Sequence, residues 1–151
     1  MAFGLAWVVL AAGCGGASGS GGGRAPESRL ASAERSLQAE LDAAADHLGA
    51  AAEPGQRVAP TRCDDRAPNT VTSGYRVRLK LSKGDTERLL QRAEGFWRER
   101  GREVRVVSRK GAFPAVFATA EPGWTFALQL FPERGEAVLS GGTPCLPDPE
   151  A

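Results

Sequence analysis

Tyr75, Val77, Leu79 and Leu81 alternate strictly with Arg76, Arg78 and Lys80. Successive side chains of a strand point to opposite faces, so the stretch predicts a strand with one apolar face and one basic face. No other feature constrains the fold as much. Burying three cations without partners would cost several kcal/mol each, against about 1.5–3 kcal/mol gained per buried aliphatic side chain. A slip of one residue would invert every side chain. The chain must therefore build its core on the Tyr75 side of this strand and leave Arg76, Arg78 and Lys80 in water.

The other elements follow from periodicity. Leu30, Ala33, Leu37, Leu41, Ala44, Leu48 and Ala51 recur at steps of three and four, which predicts a helix from Ser28 to Ala52, ended by Glu53-Pro54-Gly55. Gln56 to Thr70, with Pro60, Pro68 and Cys63-Asp64-Asp65, reads as a loop. Asp85 is the expected N-cap of a second helix. Leu89, Leu90, Ala93, Phe96 and Trp97 form its apolar face, and Gly101 stops it. Strands are then expected over Glu103–Ser108, Ala115–Ala120, Trp124–Leu130 and Glu136–Ser140, with turns at Lys110-Gly111, Pro122-Gly123 and Pro132–Gly135. The tail from Gly141 to Pro147 is expected outside the sheet. The resulting class is α+β: two helices on one face of a curved, mainly antiparallel sheet of about five strands, in the order α-β-α-β-β-β-β. The length suits a single domain over 28–151.

Before that domain, Ala2 to Ala12 is an apolar segment of signal-peptide length, far short of the roughly 18–20 residues that span a bilayer. It runs into Leu10-Ala11-Ala12-Gly13-Cys14, and a Gly/Ser-rich stretch follows. Small residues before a cysteine and a flexible tether behind it resemble the bacterial lipoprotein signal. That resemblance implies cleavage after residue 13, a diacylglyceryl and fatty-acyl group on Cys14, and a tether over 14–27. An ordinary secretory signal cut at Ala11-Ala12-Gly13 is the alternative. No basic residue precedes Arg24, so either the amino group of Met1 supplies the positive charge or the start lies upstream.

With Cys14 lipidated, Cys63 and Cys145 remain. In an oxidising compartment one disulfide is the natural reading. It would close a loop of about 80 residues, for which chain entropy gives about 4.5 kcal/mol as an upper value. The alternative is two free buried thiols. A zinc site would need ligands that the sequence does not space together, since there is no CxxC and His47 is the only histidine. Asp64 and Asp65 lack the pattern of a calcium loop.

The lipid-attachment signal, the long first helix, Arg62-Cys63-Asp64-Asp65, Gly74-Tyr75-Arg76-Val77, Phe96-Trp97 and Thr143-Pro144-Cys145-Leu146-Pro147 together resemble the small secreted lipoproteins of Streptomyces and related actinomycetes. Composition agrees. The chain has no Ile, a single Asn at Asn69, and three Lys against sixteen Arg, a bias typical of GC-rich genomes. The resemblance implies an envelope location and this fold class, with no activity attached.

Chemistry narrows the function further. No serine lies in a GxSxG elbow, and His47 has no nucleophile or carboxylate beside it in sequence. We expect no enzymatic activity, no metal and no cofactor. Net charge is only +1, yet Val71 to Gly111 carries twelve Arg/Lys against five Asp/Glu. A basic face on a membrane-anchored domain suits anionic headgroups, an anionic wall polymer or an acidic envelope protein, and nucleic acid is not expected. The leading expectation is a lipid-anchored binding module on the extracytoplasmic side of the cell membrane. The alternative is a carrier of a small apolar ligand, held between the alanine-rich helix and Trp124, Phe126, Leu128 and Leu130.

Overall fold

The computed structural model describes residues 28–64, 68–108 and 113–151. The signal over 1–13, Cys14 and its tether, Asp65 and the Lys110-Gly111 turn lie outside the described residues.

Helix α1 is Arg29–Leu48. The Ser28 hydroxyl caps it by accepting the Ala31 N–H at 3.1 Å. Leu30, Ala33, Leu37, Leu41, Ala44 and Leu48 are buried, as their spacing requires. The helix ends four residues before the expected Ala52. Gly49 adopts φ 66° and donates its N–H to the Ala45 and Asp46 carbonyls; glycine takes that left-handed cap without steric cost. Ala51 therefore leaves the stripe and is exposed. Beyond the cap the chain joins the sheet, as the Ala51 carbonyl accepts the Lys80 N–H and Glu53 N–H donates to the Arg78 carbonyl, both at 2.8 Å.

The expected loop over Gln56 to Thr70 is largely a strand. Strand β1, Gln56–Arg62, pairs antiparallel with β2, Thr70–Lys80. Every residue of β1 is exposed, so it carries no apolar alternation to reveal it. Pro60 is tolerated because β1 is an edge strand whose register shifts between Val58 and Thr61. In β2 the alternation holds. Val71, Ser73, Tyr75, Val77 and Leu79 are buried, while Arg76, Arg78 and Lys80 are exposed. Leu81 lies half-buried just past the strand.

Helix α2, Thr86–Glu99, buries Leu89, Leu90, Ala93, Phe96 and Trp97. Asp85 stands at its N-cap position but makes no side-chain cap bond; its carboxylate pairs with Arg88 at 3.0 Å instead. A meander follows: β3 (Glu103–Ser108), β4 (Ala115–Ala120), β5 (Trp124–Phe131) and β6 (Glu136–Gly142). A 3₁₀ turn, Pro132–Arg134, links the last two. The sheet order is β1-β2-β6-β5-β4-β3, and every pairing is antiparallel. It is an open α+β sheet with more strands than the expected five.

The tail also joins the sheet, contrary to expectation. β6 runs on through Gly142, and β7, Leu146–Pro147, pairs with Val71 and Thr70 of β2. Glycine at 141 is needed there, because a Cβ would stand 2.8 Å from Leu37 Cδ1 and 3.3 Å from Leu41 Cδ1. Thr143 then locks the turn. Its hydroxyl accepts the Ser73 N–H at 3.0 Å, its own N–H donates to the Ser73 carbonyl at 2.9 Å, and its carbonyl accepts the Thr72 hydroxyl at 2.8 Å. Cys63 and Cys145 form the disulfide, with Cα atoms 6.0 Å apart, and fasten the tail to the end of β1.

Both helices cover the same sheet face. The core joins Leu37, Leu41 and Leu48 of α1 and Leu89, Leu90 and Trp97 of α2 to Tyr75, Val77, Leu79, Val116, Phe126, Leu128, Leu130 and Leu139 of the sheet. Trp97 is fully buried, its ring centroid 6.2 Å from that of Phe126 and 6.4 Å from that of Phe96. Among the described residues, no helix covers the opposite sheet face. No helix among the described residues is long and apolar enough to cross a membrane.

Candidate functional site: the bare face of the sheet

The bare face is organised by strand register. Arg105 of β3 stands opposite Phe117, Phe117 opposite Ala127, Ala127 opposite Ser140, and Ser140 opposite Arg76. One row thus crosses five strands with a cation at each end. The next rows along β2 place Arg78 opposite Val138 and Lys80 opposite Glu136. Residues two apart on a strand are about 7 Å apart, so Arg76, Arg78 and Lys80 form a line of three positive charges on one exposed strand face.

The ten described cations of this basic stretch do not share one face. Arg88 pairs with Asp85, and Arg98 with Glu94 at 2.7 Å. Arg100 and Arg102 share Glu40 at 3.8 and 3.6 Å. Arg92 donates to the His47 carbonyl. These residues belong to or follow α2, behind the sheet. Arg76, Arg78 and Lys80 have no carboxylate within ion-pair distance among the described residues. Arg105 holds its guanidinium 5.9 Å from the Phe117 ring centroid, a loose cation–π contact.

Beside this charged line lies a groove of about 410 Å³. Gly74, Gly142, Ala127 and Ser140 line it, with Val58 toward the β1 side and Phe117 toward the β4 side. The glycines shape it. A Cβ on Gly74 would meet Val58 Cβ at 3.1 Å, and one on Gly142 would meet Thr125 Oγ1 at 3.0 Å. Glycine inside a strand marks a close approach of this kind, and Val58 leans across β2 because Gly74 has no side chain. Val58 remains 41% exposed and Phe117 half-buried.

The remaining candidate residues do not assemble into a site. The His47 ring lies against Phe96, centroids 5.1 Å apart, and the residue is exposed. Asp64 is exposed at the end of β1. No group of three or more His, Cys, Asp or Glu among the described residues is placed to hold a metal ion. Phe126, Leu128 and Leu130 point into the packed core and Trp124 is half-buried at its margin. Tyr75, on the core side of β2, donates to Asp42 Oδ1 at 3.2 Å. Burial, then the Asp42 charge and this hydrogen bond, push its phenol above the ordinary value.

The groove escapes a reading of the sequence because its residues are small and scattered over β1, β2, β4, β5 and β6. The signal that points to it is the pair of in-strand glycines, Gly74 and Gly142, at positions where a half-buried strand would otherwise carry side chains. Comparison with protein-family models, with curated proteins and with solved structures finds no match.

Proposed function

We propose that this chain is a non-enzymatic binding module, anchored by a lipid on Cys14 to the extracytoplasmic face of the cell membrane, and that it takes an anionic envelope partner on the bare face of its sheet. The observation that carries the reading is the line Arg76, Arg78 and Lys80, exposed and without carboxylate partners among the described residues. Such charges remain available to a ligand, and their attraction steers an anionic one. The Cys63–Cys145 bond supports an exported location, since disulfides persist in oxidising compartments. The packing of Phe126, Leu128 and Leu130 against Trp97 and α1 favours a filled core over a carrier cavity.

Two arms test the reading. Cys14→Ser should release the protein to the medium or leave it unprocessed, whereas an unchanged, detergent-requiring membrane fraction would contradict the anchor. Isolated envelope fragments should retain the native chain and lose it on Arg76→Glu with Arg78→Glu. Equal retention of the two would contradict the basic face.

A further inference from the structure

We infer that the partner is a protein segment: an acidic stretch of chain carrying one bulky apolar side chain, which enters the groove over Ala127 and Ser140, beside Phe117, while carboxylates meet Arg76 and Arg105. The inference deepens the basic-face reading and rests on it. Part of the groove shares a row with the cations, since Phe117, Ala127 and Ser140 lie between Arg105 and Arg76, while Val58, Gly74 and Gly142 line it from the adjacent row. Four inter-strand steps of about 4.8 Å separate the two ends, roughly 19 Å, and an extended peptide at about 3.3 Å per residue covers that in about six residues. A segment laid across the strands can therefore present carboxylates to both arginines and a central side chain to the groove. Acidic residues on this face are Glu136, opposite Lys80, and Glu103, two residues from Arg105; neither pairs with Arg76 or Arg105.

The groove decides between anionic partners. A lipid headgroup or a polyol-phosphate polymer offers charge but no side chain to displace water from a groove of about 410 Å³ lined by Phe117, Ala127 and Ser140. A peptide offers both. Burying one leucine-sized side chain strengthens binding about tenfold to a hundredfold.

The test uses the mature, disulfide-bonded protein and two blocked seven-residue peptides of glutamate, one with a central leucine and one with a central serine. Phosphatidylglycerol vesicles and poly(glycerol phosphate) are the other probes. We expect the leucine peptide to bind at least about tenfold tighter than the serine peptide. Ala127→Leu fills the groove and should abolish that preference while leaving a salt-sensitive affinity for both peptides. Ser140→Leu, on the neighbouring strand, should do the same. Arg76→Glu should weaken both peptides together. Equal affinity of the native protein for the two peptides overturns the inference, as does a preference that survives both groove-filling variants. Tighter binding of vesicles or polymer, insensitive to those variants, also overturns it but leaves the basic face standing. Binding of none of the four probes removes the basic-face reading itself.

Discussion

Tyr75 is the only tyrosine in the chain, so its ionisation can be followed alone. Burial acts first, then the Asp42 charge and hydrogen bond, and all raise its pKa above 10.0. The folded state therefore holds the phenolic proton more tightly than the unfolded one. That contribution to stability is complete below the unfolded value near 10 and is lost as pH rises through the folded value. Native protein should form phenolate at higher pH than denatured protein, and Tyr75→Phe should remove the corresponding loss of stability. A native midpoint at or below the denatured one would contradict this. Neighbouring glycines allow a sharper comparison. Gly141→Ala places a methyl 2.8 Å from Leu37 Cδ1 and from the Thr125 carbonyl oxygen, an overpacking that costs about 1–3 kcal/mol. Gly142→Ala meets only the Thr125 hydroxyl, at 3.0 Å, with Thr72 Oγ1 and the Ser73 carbonyl beyond 3.5 Å, so its cost should be smaller. Denaturant unfolding of the two variants reads the order directly.

At the scale of elements, what could be read from the sequence was what buries a face. The stripe of α1, the alternation of β2 and the apolar face of α2 each pair a period with burial, so their presence was legible. β1 was not, because all seven of its residues are exposed and no apolar alternation marks the strand; it is held by backbone pairing to β2, by the Ser73 hydroxyl on the Val58 carbonyl and by the Arg57–Glu34 ion pair. β7 was hidden for a related reason. Two residues ending in Pro147 carry no pattern, and their place is fixed by the disulfide and by Thr143 on Ser73. Of the site, the charged line was legible and the groove was not, since the register that brings Val58 over Gly74 is a long-range property. The tail supports a prediction at this scale. Replacing Cys63 and Cys145 together by alanine should cost up to about 4.5 kcal/mol by loop entropy. Hydrogen exchange should show the amides of Thr143 and Asp148 opening before those of Val77 and Leu79. Uniform loss of protection across β2 and the tail would show that the tail is not a separable strap.

For the molecule as a whole, one face of the sheet is committed to packing, and no helix among the described residues covers the other. Formal charge is +1, so any attraction for an anion comes from local arrangement. Ion pairs occupy Arg88, Arg98, Arg100 and Arg102 behind the sheet, and the line on β2 remains. Exposed charges are screened over about 10 Å at 0.1 M salt and about 3 Å at 1 M. Binding through this line must therefore fade as salt is added. Reversing Arg76 and Arg78 should leave the fold intact, because both are exposed and none of the core side chains is touched. The most direct measurement is the affinity of the mature, disulfide-bonded protein for poly-glutamate from low salt to 1 M, beside that of the Arg76→Glu, Arg78→Glu variant at an unchanged melting temperature. Affinity should fall steeply with salt in the native protein and be absent from the variant at every concentration. Affinity that survives both the reversal and 1 M salt would contradict it and return attention to an apolar ligand.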